Sequence, residues 1–333
     1  MNDLWSKLFF TEYKSGFNPI DLFCSELKFS IFTFQSIYSI KINFLKYQYI
    51  INFYIMKNWS FYLVLVAISL WNCRQSYSQN KQVDTLIIQS SSMNKTINAL
   101  VIKPLSYDAN SVNKYNVVYV LHGYSDNYAF YYKQIPHLTN LSNDYNLILV
   151  FPDGGYSSWY IDSPIDPAWK YETHISKELI EYVDNNYNTR KDPKGRAITG
   201  HSMGGHGALY NAIRHTDVFG ACGSMSGGVD LTYNVANWDL KKRLGDFAKN
   251  PAVWKENSVI NLIETLKGKS LPMIVDCGTE DFFYEINKNL HAKMLKLKIP
   301  HDYIERPGFH NWDYWNNAID YQVLFFHLFF NKN

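Results

Sequence analysis

The sequence has few of the residues that bind metals or form covalent cross-links. It contains 4 cysteines in 333 residues, and no group of Cys and His has the spacing of a metal site. It has no glycine-rich phosphate loop. A formal net charge of +2 without a basic stripe argues against a nucleic-acid surface. These absences favour a protein that uses no cofactor, holds no metal and binds no nucleic acid.

Residues 1–55 lack Ala, Val, Arg and His entirely and show no lasting helical or strand period. Their Phe, Ile, Tyr, Asn and Lys are the residue types that A/T-rich codons produce. Met56 then begins a positively charged segment, followed at 61–70 by an apolar run of about ten residues, the length of a secretory signal. We predict that translation starts at Met56, that residues 1–55 are an over-extended reading frame rather than a domain, and that 56–78 is a signal peptide. A genuine membrane-associated extension is the alternative.

Small residues at Ser76 and Ser78 favour cleavage before Gln79, which predicts a mature single domain at 79–333, periplasmic or secreted and not inserted in a membrane. Lipid attachment at Cys73 ranks second, because a lipidated cysteine is poorly preceded by Trp and Asn. Cys222 and Cys277 would remain, and their apolar strand-like surroundings predict two small buried side chains rather than a disulfide. Oligomeric state stays open.

Apolar runs and helical patterns alternate along the mature part. Strands are predicted at 84–89, 96–103, 116–121, 147–151, 196–199, 220–225, 271–276 and 301–305, and helices at 129–145, 172–186, 203–214, 286–297 and 312–330. This alternation predicts an α/β fold with a mostly parallel sheet and helices on both faces. The long connection at 227–270, with helical pieces at 240–248 and 259–266, is the expected substrate-facing insertion.

The segment from Gly200 to Gly204 fits the G-x-S-x-G pattern between a predicted strand and a predicted helix. In this turn the serine sits at a strained corner, and glycines flank it because a Cβ there would collide with the neighbouring backbone. Ser202 is therefore the candidate nucleophile. An ordinary glycine-rich turn is the alternative.

A serine nucleophile needs a base, and the base needs an acid to orient it. His310 follows the last predicted strand, whereas His291, His301 and His327 lie in or beside regular elements. Asp281 follows the penultimate strand and is the candidate acid. The runners-up are Asp276 and Glu280, and Asp281 has an alternative role as the cap of the next helix. The order serine, aspartate, histidine is that of the α/β hydrolases.

A tetrahedral intermediate also needs two N–H donors for its oxyanion. One candidate is the backbone of Met203, the residue after the nucleophile, and the other is the backbone of Tyr124, after the first buried strand. The alternative for the His122-Gly123 pair is an ordinary strand-ending turn.

Six segments together resemble the esterase family typified by esterase D, which includes feruloyl and acetyl-xylan esterases, S-formylglutathione hydrolases and mycolyltransferases. They lie at 121–124 (LHGY), 158–164 (SWYIDSP), 200–209 (GHSMGGHGAL), 226–228 (SGG), 277–281 (CGTED) and 307–312 (PGFHNW). The likeness covers residues 84–330. It implies an α/β-hydrolase fold without a cofactor, a triad of Ser202, Asp281 and His310, and oxyanion donors at Tyr124 and Met203.

The resemblance leaves the substrate open. An exported chain with aromatic loops is closest to the carbohydrate esterases, which leads us to expect feruloyl or acetyl esters of an oligosaccharide. A thioesterase of the S-formylglutathione type, an acyltransferase and a non-catalytic carbohydrate-binding relative are the alternatives. Trp159, Tyr160, Trp312 and Trp315 are candidates for the pocket wall, with core packing as the alternative for each.

Overall fold

The computed structural model describes residues 63–71 and 82–332 of the chain. It divides into two units, Met1–Gln75 and Ser76–Asn333. In the first unit, residues 63–71 are helical with exposed side chains. The predicted extension at 1–55 and the remainder of the predicted signal peptide at 56–78, with its cleavage point, lie outside the described residues. Among the residues that are described, no helix is both long enough and apolar enough to cross a membrane.

The second unit is built on an eight-stranded sheet. Its strands are β1 (Val83–Ser90), β2 (Lys95–Ile102), β3 (Val117–Leu121), β4 (Ile148–Pro152), β5 (Arg196–Gly200), β6 (Ala221–Met225), β7 (Met273–Gly278) and β8 (Asp302–Arg306). The spatial order is β1-β2-β4-β3-β5-β6-β7-β8. β1 and β2 form an antiparallel hairpin, β2 also pairs antiparallel with β4, and the other pairings are parallel.

Helices cover both faces of the sheet. They are α1 (Phe130–Gln134), α2 (Leu138–Tyr145), α3 (Tyr171–Thr173), α4 (Leu179–Asn186), α5 (Met203–Arg214), α6 (Leu240–Leu244), α7 (Pro251–Glu256), α8 (Val259–Leu262), α9 (Tyr284–Leu297) and α10 (Trp312–Asn331). Alternate residues of β3 point into two separate apolar clusters: Tyr119 packs with residues of α5 and α9, whereas Val118 packs with residues of α1, α2 and α10. The predicted arrangement of a mostly parallel sheet between helical layers is confirmed.

Three predicted helices differ from those observed. The crossover helix predicted at 129–145 is two helices, because Pro136 follows Ile135 and drives it into an extended conformation (φ −119°, ψ 94°). The helix predicted at 172–186 contains a π-helical turn, His174–Glu178, between α3 and α4. The piece predicted at 240–248 ends at Leu244, where Gly245 takes a positive φ of 79°.

The predicted site residues follow the carboxyl ends of four strands. Tyr124 comes after β3, Ser202 after β5, Asp281 after β7 and His310 after β8. Because parallel strands end at one edge of the sheet, this topology gathers the four segments into one region. Cys222 and Cys277 lie in β6 and β7 as buried free thiols, as predicted.

Candidate active site

Ser202 occupies a strained turn between β5 and α5. Its backbone has φ 56° and ψ −119°, a region that residues other than glycine rarely adopt. Hydrogen bonds hold it there: its N–H donates to the carbonyl of Met225 at 2.9 Å, and its own carbonyl accepts from Gly228 at 3.2 Å. A Cβ on Gly204 would collide with the carbonyl oxygen of Leu121. The turn therefore presents the hydroxyl outward, and only glycine fits after Met203.

Ser202, His310 and Asp281 form a continuous hydrogen-bonded chain. Ser202 Oγ lies 2.9 Å from His310 Nε2, and His310 Nδ1 lies 2.8 Å from Asp281 Oδ2 and 3.0 Å from Asp281 Oδ1. A carboxylate only accepts, so Nδ1 carries the hydrogen and Nε2 is free to accept from the serine hydroxyl. Asp281 is buried while Ser202 and His310 are partly exposed. This arrangement lets His310 remove the proton of Ser202 when the hydroxyl attacks an electrophile.

The structure separates Asp281 from its two rivals. Asp276 is fully buried and binds Arg306 Nη2 at 2.8 Å and the hydroxyl of Tyr314. Burial raises the pKa of Asp276, against the opposing influence of these two partners. Glu280 accepts hydrogen bonds from Thr279 and from the backbone of Gly308. Neither carboxylate contacts His310.

Asp281 also performs part of its alternative role at the start of a helix. Its Oδ1 accepts the N–H of Phe283 at 2.7 Å, and its carbonyl accepts from Tyr284, the first residue of α9. One side chain therefore both orients His310 and shapes the loop before α9.

The other histidine candidates are engaged elsewhere. His291 Nδ1 and His301 Nε2 lie 2.8 Å apart, and His327 Nε2 lies 2.8 Å from the side chain of Asn331. Among the described residues, no three His, Cys, Asp or Glu side chains are grouped so as to hold a metal ion.

The carbonyl of Leu121 accepts from the N–H of His201 at 3.3 Å, which ties the strand before Tyr124 to the turn before Met203, the two predicted oxyanion donors. Met203 is the first residue of α5, so its N–H has no partner in the preceding turn, and Tyr124 follows the β3 turn. In the described part of the chain, neither N–H has a hydrogen-bond acceptor. Both groups are therefore free to donate to a developing negative charge.

Two of the four predicted wall aromatics are packing residues. Tyr160 is fully buried, and its hydroxyl donates to the carbonyl of His122 at 3.0 Å. Trp159 is 2% exposed, with its indole N–H bound to the carbonyl of Trp238 at 3.2 Å. For these two side chains the alternative reading, core packing, is the one that the structure shows.

Trp315 packs against the candidate base, and Trp312 packs against His201, the residue before the candidate nucleophile. The ring centroid of Trp315 lies 4.9 Å from that of His310, but its indole N–H is used by Ser226 Oγ at 3.1 Å and only 6% of it is exposed. Trp312 is half-buried and packs edge-on to Tyr131. Trp315 therefore packs against His310, whereas Trp312 packs against Tyr131 and His201.

The aromatic surface next to His310 comes from residues that the sequence did not single out. The ring of Phe282 lies 4.1 Å from that of His310 and is half exposed. Trp238, from the long connection, stacks against Phe282 with centroids 6.1 Å apart and an angle of 17°. The position of Phe282 directly after Asp281 was the one available signal. Nothing in the spacing of Trp238 links it to the triad.

Comparison with known proteins finds one family and several similar esterases. The model of the family described as "Putative esterase" matches residues 90–326. An acetyl esterase of Caldicellulosiruptor saccharolyticus is 29% identical over 231 residues, 65% of this chain and 85% of that protein. The S-formylglutathione hydrolase of Bos taurus is 28% identical over 185 residues, 48% of this chain and 64% of that enzyme. The chain spans 54% of the length of two mycobacterial esterases.

Among solved structures, a ferulic acid esterase superposes with a TM-score of 0.63 at 28% identity, over 74% of this chain and 98% of the other. This similarity confirms the predicted α/β-hydrolase fold, and the family match confirms the predicted resemblance. The chain belongs to this esterase family and is a carboxylic ester hydrolase.

Proposed function

We propose that the protein is a serine esterase that works through an acyl-enzyme. The observation that carries this proposal is the hydrogen-bonded chain from Ser202 Oγ through His310 to Asp281, with distances of 2.9 and 2.8 Å. A serine at a strained elbow, a base within hydrogen-bond distance and a buried acid behind the base are the parts that acyl transfer requires.

In the first half-reaction, Ser202 Oγ attacks the ester carbonyl carbon while His310 Nε2 takes its proton. The carbonyl oxygen becomes an oxyanion, which accepts from the N–H groups of Tyr124 and Met203. The intermediate collapses as His310 protonates the leaving alcohol, and the acyl group stays on Ser202. In the second half, His310 removes a proton from water, the hydroxide attacks the acyl carbon, and the carboxylic acid leaves as Ser202 regains its proton.

We infer that the substrates are acyl esters of carbohydrate, with a feruloyl or acetyl group. The Phe282–Trp238 stack beside His310 supports this inference, because flat apolar rings pack well against phenolic rings and sugars. The acetyl esterase and the ferulic acid esterase among the similar proteins support it as well. A thioesterase acting on S-formylglutathione is the second candidate, favoured by the similarity to the bovine enzyme.

Export is part of the same proposal. The apolar run at 61–70, in a segment that begins with Met56 and ends in Ser76-Tyr77-Ser78, supports a signal peptide cleaved before Gln79. N-terminal sequencing of protein recovered from the native host decides this point: a first residue of Gln79 is expected, whereas any peptide from upstream of Met56 contradicts it.

Ser202→Ala is the direct test of the nucleophile. This variant should lose p-nitrophenyl acetate hydrolysis by at least three orders of magnitude while keeping the wild-type circular dichroism spectrum, because alanine removes only the attacking oxygen. It should also lose labelling by a fluorophosphonate. Ser111→Ala, on a surface loop, is the matched control and should behave as wild type. Full activity in Ser202→Ala would exclude this mechanism.

Phe282→Ala and Trp238→Ala test the substrate. Loss of one stacking ring removes about 1 kcal/mol of contact with an aromatic acyl group, so KM for methyl ferulate should rise roughly 5- to 10-fold. KM for ethyl acetate should stay within twofold, because this ester has no ring that could stack on either side chain. Phe309→Ala removes an exposed ring from the residue before His310 and serves as control. Equal effects on both esters contradict the aromatic subsite, and faster turnover of S-formylglutathione than of either ester favours the thioesterase.

A further inference from the structure

His201, the residue before the candidate nucleophile, is buried and uses both ring nitrogens. It is 1% exposed, with Nε2 at 3.0 Å from Asp126 Oδ2 and Nδ1 at 2.8 Å from the hydroxyl of Tyr131. The rings of Trp312 and Trp315 pack against it at centroid distances of 4.7 and 4.2 Å. The proposed mechanism gives no role to this second histidine–aspartate pair, although it adjoins Ser202.

The partners determine the form of the His201 ring. A carboxylate only accepts, so Nε2 carries the hydrogen that Asp126 receives, and Nδ1 accepts the hydroxyl hydrogen of Tyr131. Both bonds are satisfied by the neutral imidazole. Burial favours the same neutral form, because it lowers the pKa of His201 to about 4. The ring thus has one fixed orientation and does not exchange protons with the substrate at neutral pH.

The bond between His201 and Asp126 joins the two segments that carry the candidate oxyanion donors. His201 lies two residues before Met203, and Asp126 lies two residues after Tyr124. The fit is close: a Cβ on Gly123 would lie 2.6 Å from His201 Nε2 and 3.3 Å from Asp126 Oδ2. His122 has a different partner: its Nε2 accepts the N–H of Gly154, in the loop after β4. Asp126 therefore links the loop after β3 to the nucleophile turn.

We propose that Asp126 and His201 are positioning residues that set the separation of the Tyr124 and Met203 N–H groups. Neither touches the substrate, and each acts through the backbone segment that it holds. An oxyanion hole depends on donors placed before charge develops, and a misplacement of a few tenths of an ångström weakens them in the transition state rather than in the bound ester. This inference rests on the proposed function, because it concerns the oxyanion of the same reaction.

The test compares Asp126→Ala, Asp126→Asn and Tyr131→Phe in the full-length protein. Asp126→Ala should lower kcat for p-nitrophenyl acetate about 30- to 100-fold with KM within twofold, and should weaken binding of a trifluoromethyl ketone by the same factor. Asp126→Asn should recover kcat to within about fivefold of wild type, because its amide oxygen still accepts from Nε2. Tyr131→Phe removes the other bond to His201, so it should lower the melting temperature and leave kcat within threefold.

Wild-type kcat in Asp126→Ala would overturn the inference, as would a change confined to KM or a failure of Asp126→Asn to recover activity. If Asp126→Ala lacks the wild-type circular dichroism spectrum, Asp126→Ser takes its place, since a serine hydroxyl is too short to reach the ring. Failure of the proposed function itself has a separate signature. In that case Ser202→Ala retains activity or the wild-type protein has none, whatever the Asp126 variants do.

Discussion

At the scale of single residues, Asp281 is the acid whose removal is most informative. Its carboxylate holds the Nδ1–H tautomer of His310, so Asp281→Asn, which donates as readily as it accepts, permits the tautomer that cannot take the serine proton. We expect kcat for p-nitrophenyl acetate to fall by roughly three to four orders of magnitude at pH 7. Steady-state kinetics measure the fall in kcat, and a thermal melt measures separately whether the variant has lost stability.

Glu280 provides the matched control for that variant. It is the adjacent carboxylate and contacts Thr279 and Gly308 rather than His310. Glu280→Gln should therefore keep kcat within about threefold of wild type. If Glu280→Gln loses as much activity as Asp281→Asn, the pairing in the structure does not describe the working enzyme.

The sequence predicted which residues meet in the triad, but not which aromatic rings surround it. Chain order and strand ends placed Ser202, Asp281 and His310 together, since a parallel sheet brings its carboxyl ends to one edge. No periodicity describes the loop at 156–169, so the sequence did not reveal that Tyr160 points into the core. Trp238 and Phe282 meet only through tertiary packing. Similarly, the contact between His201 and Asp126 spans 75 positions of the chain.

At the scale of elements, strands were predicted more accurately than helices. Each predicted strand overlaps an observed one. From β3 to β7 the strands are short apolar runs buried on both faces, which are distinctive in a sequence, whereas β1 alternates between buried and exposed residues. Helix ends depended on local chemistry that a hydrophobic pattern does not contain, as at Pro136 and Gly245. The π-helical turn His174–Glu178 was not predicted, because the apolar spacing at 172–186 does not distinguish a π-helical turn from an α-helical one.

The start of α10 gives a prediction at this scale. Asn311, the residue directly after His310, caps the helix. Its side-chain oxygen accepts the N–H of Tyr314 at 3.1 Å. Asn311→Ala removes this bond and should lower the free energy of unfolding by about 1 kcal/mol, whereas Asn311→Asp, which still accepts, should cost far less. Urea unfolding at pH 7 compares the two. Equal stabilities of both variants would show that the cap contributes nothing.

At the scale of the whole molecule, buried titratable groups make the fold sensitive to acid in two successive pH ranges. Burial lowers the pKa of both His201 and His206 to about 4, in the case of His206 against the opposing influence of the carbonyl oxygens of Asn257 and Trp159, only one of which the neutral ring can bind as a donor. Burial alone would raise the pKa of Glu172, but hydrogen bonds from His215, Arg214 and Tyr210 outweigh it and lower that pKa to about 2. Glu172 therefore stabilises the fold above pH 4.5, and this contribution is lost between pH 4.5 and about 2.

The two histidines act at higher pH. Between pH 6.5 and 4 the unfolded chain protonates them while the folded protein keeps them neutral, so unfolding takes up protons and acid favours it. From pH 7 to pH 5, each should cost about 2 kcal/mol of unfolding free energy. His206→Asn removes one of these protonations and should flatten the profile by that amount, whatever its effect at pH 7. Urea titrations at pH 7 and pH 5 measure the unfolding free energy of each protein. Parallel profiles for His206→Asn and wild type would mean that His206 already carries the proton in the folded protein.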